Sequence, residues 1–129
     1  MTARNVRNNN PLNIKHSTDE WRGQLPVQSD PTFVQFTDPK WGFRAAGRIL
    51  KTYRDKYGLN NISNIINRWA PPSENDTASY VNFVVGKTGI PAWAELTEED
   101  WPSLLQAMAK MEGGPEYDIA TIKQGLALV

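Results

Sequence analysis

Apolar residues recur at helical spacing in five stretches of this chain, and each stretch carries its own start and stop signals. The clearest follows Phe33-Val34-Gln35-Phe36, a short β-like run. Thr37 or Asp38 can cap it, Pro39 suits a first turn, and Phe43, Ala46, Leu50, Tyr53 and Tyr57 fall on one face before Gly58. A second helix is predicted from about Asn61 to Trp69, with Ile62, Ile65, Ile66 and Trp69 aligned and Pro71-Pro72 ending it. A third starts after Asn75 or Asp76, uses Tyr80, Phe83, Val84 and Lys87, and stops at Gly89. In the fourth, Thr97 and Asp100 have capping-box spacing, and Leu96 and Trp101 have that of a hydrophobic staple. Its stripe is Leu104, Leu105, Met108 and Met111, and Glu112 closes it. A fifth follows Asp118 through Ile119, Ile122 and Leu126. Residues 1–32 lack any such period. Their Asn and Pro content is turn chemistry, so they are expected to be irregular. The pattern predicts one domain over residues 1–129, mainly α (α+β), with a small β element.

Composition narrows the function classes. Lys+Arg and Asp+Glu are both 14, so there is no basic excess of the kind that nucleic-acid binding favours. The stripe Lys40, Arg44, Arg48 and Lys51 reads as the solvated face of the first long helix rather than a site for an anionic polymer. There is no cysteine and His16 is the single histidine, so no metal and no cofactor is expected. A Ser-His-Asp triad through His16 has no nucleophile motif to support it. No run is apolar enough for membrane insertion, and the N-terminus has no signal-peptide character. A wall-directed role would then require delivery by a virus particle, a pore or a secretion machine. Five Trp are many for this length; they suit a carbohydrate cleft and equally a packed core.

Three segments carry candidate chemistry. Arg7 to Ile14 holds a run of three Asn, which either braces loops or binds a polar ligand, and this loop is expected to add little to the core. Arg68 to Tyr80 contains a stiff Pro71-Pro72 loop with Glu74, Asn75, Asp76 and Thr77 at a helix start; capping by Asn75 or Asp76 is its structural account. The third is Met111-Glu112-Gly113-Gly114 with Tyr117. A carboxylate at the end of an amphipathic helix, just before a glycine pair, has an apolar backing and an open front. An apolar wall keeps its proton on near neutral pH, as a general acid for sugar-bond cleavage requires.

Taken together, Arg7-Asn8-Asn9-Asn10-Pro11-Leu12-Asn13-Ile14, Phe33 and Phe36, Ile65-Ile66, Trp69 through Thr77 with Tyr80, and Met111-Glu112-Gly113-Gly114 resemble a family of small phage and prophage virion-associated lytic proteins. The resemblance covers nearly the whole chain. It departs where Leu12 replaces the usual Gly, Met111 the usual His, and Gly113 the usual Asn. The family is similar to lysozyme-like transglycosylases and to the muralytic enzyme of enveloped double-stranded RNA phages. The resemblance implies a lysozyme-like helical domain with the order of its parts rotated, a circular permutation in which the glutamate helix comes late. It implies Glu112 as general acid/base on peptidoglycan glycan strands. Arg7, Asn8, Asn10, Asn13, Trp21, Glu74, Asn75, Thr77, Tyr80 and Tyr117 would contact substrate. A transglycosylase route needs no second carboxylate; a hydrolytic one would draw on Glu20, Glu74 or Asp76, and Glu116 is a further acid nearby in sequence. Other virion proteins are implied partners, and the implied location is the virion, or the host cytoplasm with delivery to the periplasm and wall. The alternatives are a non-catalytic virion structural protein with the same fold, and a peptidoglycan endopeptidase.

Overall fold

A computed structural model describes residues 3–129. Its elements in chain order are α1 (Arg4–Arg7), α2 (Pro39–Tyr57), α3 (Ile62–Trp69), α4 (Thr77–Thr88), a 3-10 turn (Glu98–Asp100), α5 (Trp101–Met111) and α6 (Ile119–Leu126). The five periodic stretches are the five long helices. Asp38 caps α2 by accepting from Lys40 N–H, and Asn61 caps α3 by accepting from Asn64 N–H. Of the two candidates for α4 the cap is Asp76, whose carboxylate accepts from Ser79 N–H. At the entry to α5, Thr97 N–H donates to the Asp100 carboxylate at 2.8 Å, and Leu96 and Trp101 are both buried. Gly58 and Gly89 end α2 and α4 in left-handed conformations, the usual glycine stop.

Helix α2 packs on α6, α5 lies against both α4 and α6, and α3 packs on α4. The closest approach is at Gly125, where a Cβ would stand 2.4 Å from the Lys40 carbonyl oxygen. Only glycine lets the α6 backbone come this near to α2. Phe43, Leu50, Ile62, Ile66, Leu104, Leu105, Met108 and Ile122 fill the space between the helices.

Four expectations change. First, the irregular N-terminal region contains a helix, α1; a single turn is too short to show a period. Second, Phe33–Phe36 forms no strand ladder. It is an extended segment with isolated bridges at Lys15–Phe33 and Gln24–Phe36. The N-terminal chain wraps it on two sides, with Val34 N–H donating to Ile14 O and Leu25 N–H donating to Gln35 O. Third, Met111 is 37% exposed and stands off the core stripe of α5. Fourth, Arg44 is only partly solvated: its Nε donates to the Leu128 carbonyl at 3.1 Å and ties the C-terminal turn to α2. Among the described residues no helix is long and apolar enough to cross a membrane.

Candidate functional site

Glu112 is the C-cap of α5, and its N–H donates to Met108 O at 2.9 Å. The chain leaves through Gly113 at φ +103° and then buried Gly114, whose position beside Asn5 carries the backbone past α1. The Glu112 side chain, half-buried, reaches between the N-terminal loop and α4. Tyr80 Oη donates to its Oε2 at 2.8 Å, and Asn13 Nδ2 donates to its Oε1 at 3.1 Å. Thus residues 99 and 32 positions away in sequence meet on one carboxylate.

Each donor is placed by local physics. Tyr80 lies one turn into α4, in a phase set by the Asp76 cap, and is 5% exposed. Asn13 sits at φ +53°, a left-handed conformation that Asn tolerates better than most residues. Its turn is held by Asn10, whose Nδ2 donates to Ile14 O at 2.9 Å and Val34 O at 2.8 Å while its Oδ1 accepts from Ile14 N–H at 3.0 Å.

Burial pushes the Glu112 carboxyl above its ordinary value, and the hydrogen bonds from Asn13 and Tyr80 only partly oppose it. The carbonyl end of α5 acts in the same direction as burial, since it disfavours negative charge. Burial, and then the neighbouring Glu112 charge, also raise the Tyr80 phenol, which therefore stays a donor. Between the unfolded carboxyl value and the raised folded one, the native state binds more protons than the unfolded chain. Glu112 therefore costs stability progressively as pH rises through that window, and the cost is constant above it. Glu112→Gln removes the titration. The melting temperature of the glutamine variant should rise relative to wild type from pH 4 to neutrality; a flat difference would show that the carboxyl is not shifted.

Asn13, one of the two donors to Glu112, also lines an open cleft of about 290 Å³, which Glu112 itself does not line. Asn13 and Trp21 line it with Ile49, Tyr53 and Trp69, and the last two rings meet edge-to-face at 6.3 Å. Asn13 belongs to both the cleft and the carboxylate site. The helical period places Tyr53 on the packing face of α2 and does not single out Ile49. Both are half-buried rather than core, which helical periodicity alone does not reveal.

The other sequence candidates are dispersed. Asn8 and Asn10 are corrected from cleft-lining residues to buried braces, with 2% and 0% exposure. Asn8 Nδ2 donates to Asp30 Oδ2 at 3.0 Å, and its Oδ1 accepts from Gln35. Asp30 is the organiser that sequence reading missed. It accepts from Arg4 through two bonds of 2.6 Å and from the Thr32 and Phe33 N–H groups, and the Arg4 guanidinium holds its carboxyl far below the usual range. Its sequence signal was modest, an Asp before Pro at the start of a turn. Arg7 is exposed, beside a surface hollow shared with Arg4 and Asp30. Asn75 and Thr77 border a different depression of about 600 Å³ with Trp93, and Thr77 is buried with its hydroxyl donating to Ala70 O. Tyr117 packs edge-to-face on Phe43 at 5.2 Å. Glu74 is exposed, 4.0 Å from Lys15. Asp76 is spent on its cap, Glu116 pairs with Lys87 at 3.0 Å, and Glu20 is exposed. Among the described residues no cluster of His, Cys, Asp and Glu could hold a metal ion.

The chain is 50% identical over 127 residues to Protein P5 of Pseudoalteromonas phage PM2, an alignment covering 95% of this chain and 79% of that protein. No protein-family model matches it.

Proposed function

The chain belongs to the family of the phage PM2 protein P5, and on the premise that it is a phage protein we propose that it cleaves peptidoglycan glycan strands with Glu112 as general acid/base. The observation that carries this reading is the carboxylate itself: biased towards its protonated form by burial, held by Asn13 and Tyr80, and linked through Asn13 to an aromatic-walled cleft. In this reading Glu112 gives its proton to the glycosidic oxygen between N-acetylmuramic acid and N-acetylglucosamine as the C1–O bond breaks. The resulting carboxylate then takes the proton of the muramic acid 6-hydroxyl as that oxygen closes on C1. The product is an anhydro sugar, and Glu112 is reset. The route suits a site where the alternative acids are exposed, capping or ion-paired, because it needs no second carboxylate. The resemblance to lysozyme-like domains with rotated part order, and action from a virion or across the host envelope, belong to the same proposal.

A second reading has its own support. The two hydrogen bonds to Glu112 also tie α5 to the N-terminal loop and to α4, as a structural staple in a non-catalytic virion protein would. Mass spectrometry of purified peptidoglycan incubated with the protein separates the readings. Anhydro-muropeptides are expected. New reducing ends would replace the transglycosylase route with hydrolysis, cut stem peptides would indicate an endopeptidase, and unchanged peptidoglycan would favour the structural role.

A further inference from the structure

The chain has no net charge, yet one face of it is strongly cationic. Lys40, Arg44, Arg48 and Lys51 share one strip of α2, roughly 80° wide and about 16 Å long at the usual helical rise and turn. The helical period gives this row alone, and packing enlarges it. Gly23 lies directly on the Trp41 ring, where a Cβ would stand 2.1 Å from Cγ, and this contact brings Arg22 to the same face. The Arg22 guanidinium is 5.2 Å from the Trp41 ring centroid and the Lys40 ammonium 5.5 Å. Burial lowers the Arg44 guanidinium from its ordinary value, and the charges of Arg22 and Arg48 lower it further, so the three share one field. Among the described residues none of these five cations forms an ion pair. The acids on and beside α2 are engaged: Asp38 caps the helix, and Asp55 pairs with Arg54 at 2.8 Å.

We infer that this face docks on the surface of an anionic bilayer, with Arg22, Lys40, Arg44, Arg48 and Lys51 set against lipid phosphates. Guanidinium groups match phosphate oxygens with paired N–H donors, and a cluster of about four to eight Lys and Arg is the size that anionic headgroups recruit. The shape of the face favours a bilayer over a nucleic acid. Helix α2 buries Gly42, Phe43, Ala45, Ala46, Gly47 and Leu50, so only a strip of it reaches the surface and it cannot enter a DNA groove. Trp41 is half-buried under Gly23 and gives no free ring for bases to stack on. The strip carries none of the exposed large apolar side chains, so the contact is electrostatic and stays at the headgroups without insertion. Ile49, which lines the aromatic-walled cleft, lies roughly 140° round α2 from the centre of the strip. A docked chain therefore keeps that cleft open, and the inference does not depend on the chemistry of Glu112.

The test is flotation of the chain with vesicles of mixed phosphatidylglycerol and phosphatidylcholine, beside vesicles of phosphatidylcholine alone. At low salt the anionic vesicles should bind at least about tenfold more tightly, on a scale of about fivefold per cation near such a surface. Binding should vanish in about 1 M sodium chloride, where the Debye length is about 3 Å. Lys51→Glu should weaken it at least about tenfold. Lys110→Glu makes the same change of net charge on α5, and should stay within about threefold of wild type. Lys51 and Lys110 are both exposed, so both variants should fold, and melting curves check this. Arg48→Glu, also at an exposed position, replaces Lys51→Glu if that variant does not fold. Equal binding to the two kinds of vesicle, no binding to either, binding that persists at high salt, or equal losses in the strip and α5 variants overturns the inference. Binding to a DNA duplex at equal phosphate concentration that matches or exceeds binding to the anionic vesicles also overturns it, and makes nucleic acid the occupant of this face.

Discussion

Glu112→Gln is expected to lower glycan-strand cleavage at least about a hundredfold, the usual scale for loss of general acid catalysis, while the domain stays folded. Glutamine keeps the length and shape of the side chain. Tyr80 Oη can still donate to its carbonyl oxygen, so one of the two ties to the rest of the fold survives. The tie to Asn13 is altered, because the glutamine amide would present a donor to the Asn13 Nδ2 unless one of them rotates. What the variant cannot do is hand over a proton and take it back. The measurement is release of anhydro-muropeptides by wild type and variant at equal concentration, with circular dichroism and melting curves to confirm that both are folded. Near-normal turnover by a folded Glu112→Gln protein would falsify the role given to Glu112. The activity profile gives a second check. Burial holds the carboxyl above its ordinary value, so the basic limb should fall at higher pH than an ordinary exposed glutamate would give.

Asn10→Ala is expected to be the most damaging single substitution in the N-terminal region, with a loss of about 2–4 kcal/mol, as for other substitutions that strand buried polar groups. Asn10 is fully buried, and one side chain satisfies two carbonyls, of Ile14 and Val34, and one N–H, of Ile14. Alanine leaves Val34 O and Ile14 N–H without a partner in a place water does not reach, and leaves Ile14 O with its bond from Val34 N–H alone. Two consequences should appear together. The melting temperature should drop by roughly 10 °C, on the usual relation of stability to melting in a domain of this size. Any activity should fall as well, because the Asn10–Asn13 turn fixes the left-handed Asn13 that donates to Glu112. Asn75→Ala is the matching control. Asn75 is exposed, its amide makes one long bond of 3.4 Å to Pro71 O, and Asp76 supplies the helix cap, so its melting point should barely move. A thermally unaffected Asn10→Ala protein would return this loop to the role of a ligand surface.

The five long helices were legible in the sequence because each is a local object. A cap such as Asp38, Asn61 or Asp76 is a few bonds from the N–H it satisfies, and a helical stripe such as Ile62-Ile65-Ile66 needs no knowledge of its partner. Glu112 was legible for the same reason: a carboxylate at a helix end before two glycines is a short-range pattern. Its raised proton affinity was also expected from an apolar backing. The identity of that backing and of the two donors was not local. Asn13 and Tyr80 were named as site residues along with eight others, and nothing in spacing separated these two from Asn8 or Asn10. Asparagine looks the same in sequence whether its amide faces a ligand or is consumed by three backbone groups. That difference is decided by which side of a left-handed turn each side chain leaves from, and by what the remainder of the fold lays over it. Asp30 shows the same limit, since its partners Arg4 and Asn8 lie more than twenty positions away. The cleft is likewise a product of packing. Tyr53 and Trp69 come from two different helices, and only the crossing of those helices past the N-terminal wrap leaves their rings half-open beside Asn13. Sequence by itself determined the five long helices, their ends and the one carboxylate. Tertiary structure decided which polar side chains face inward, because the cost of burying an amide falls only on contacts that long-range folding creates.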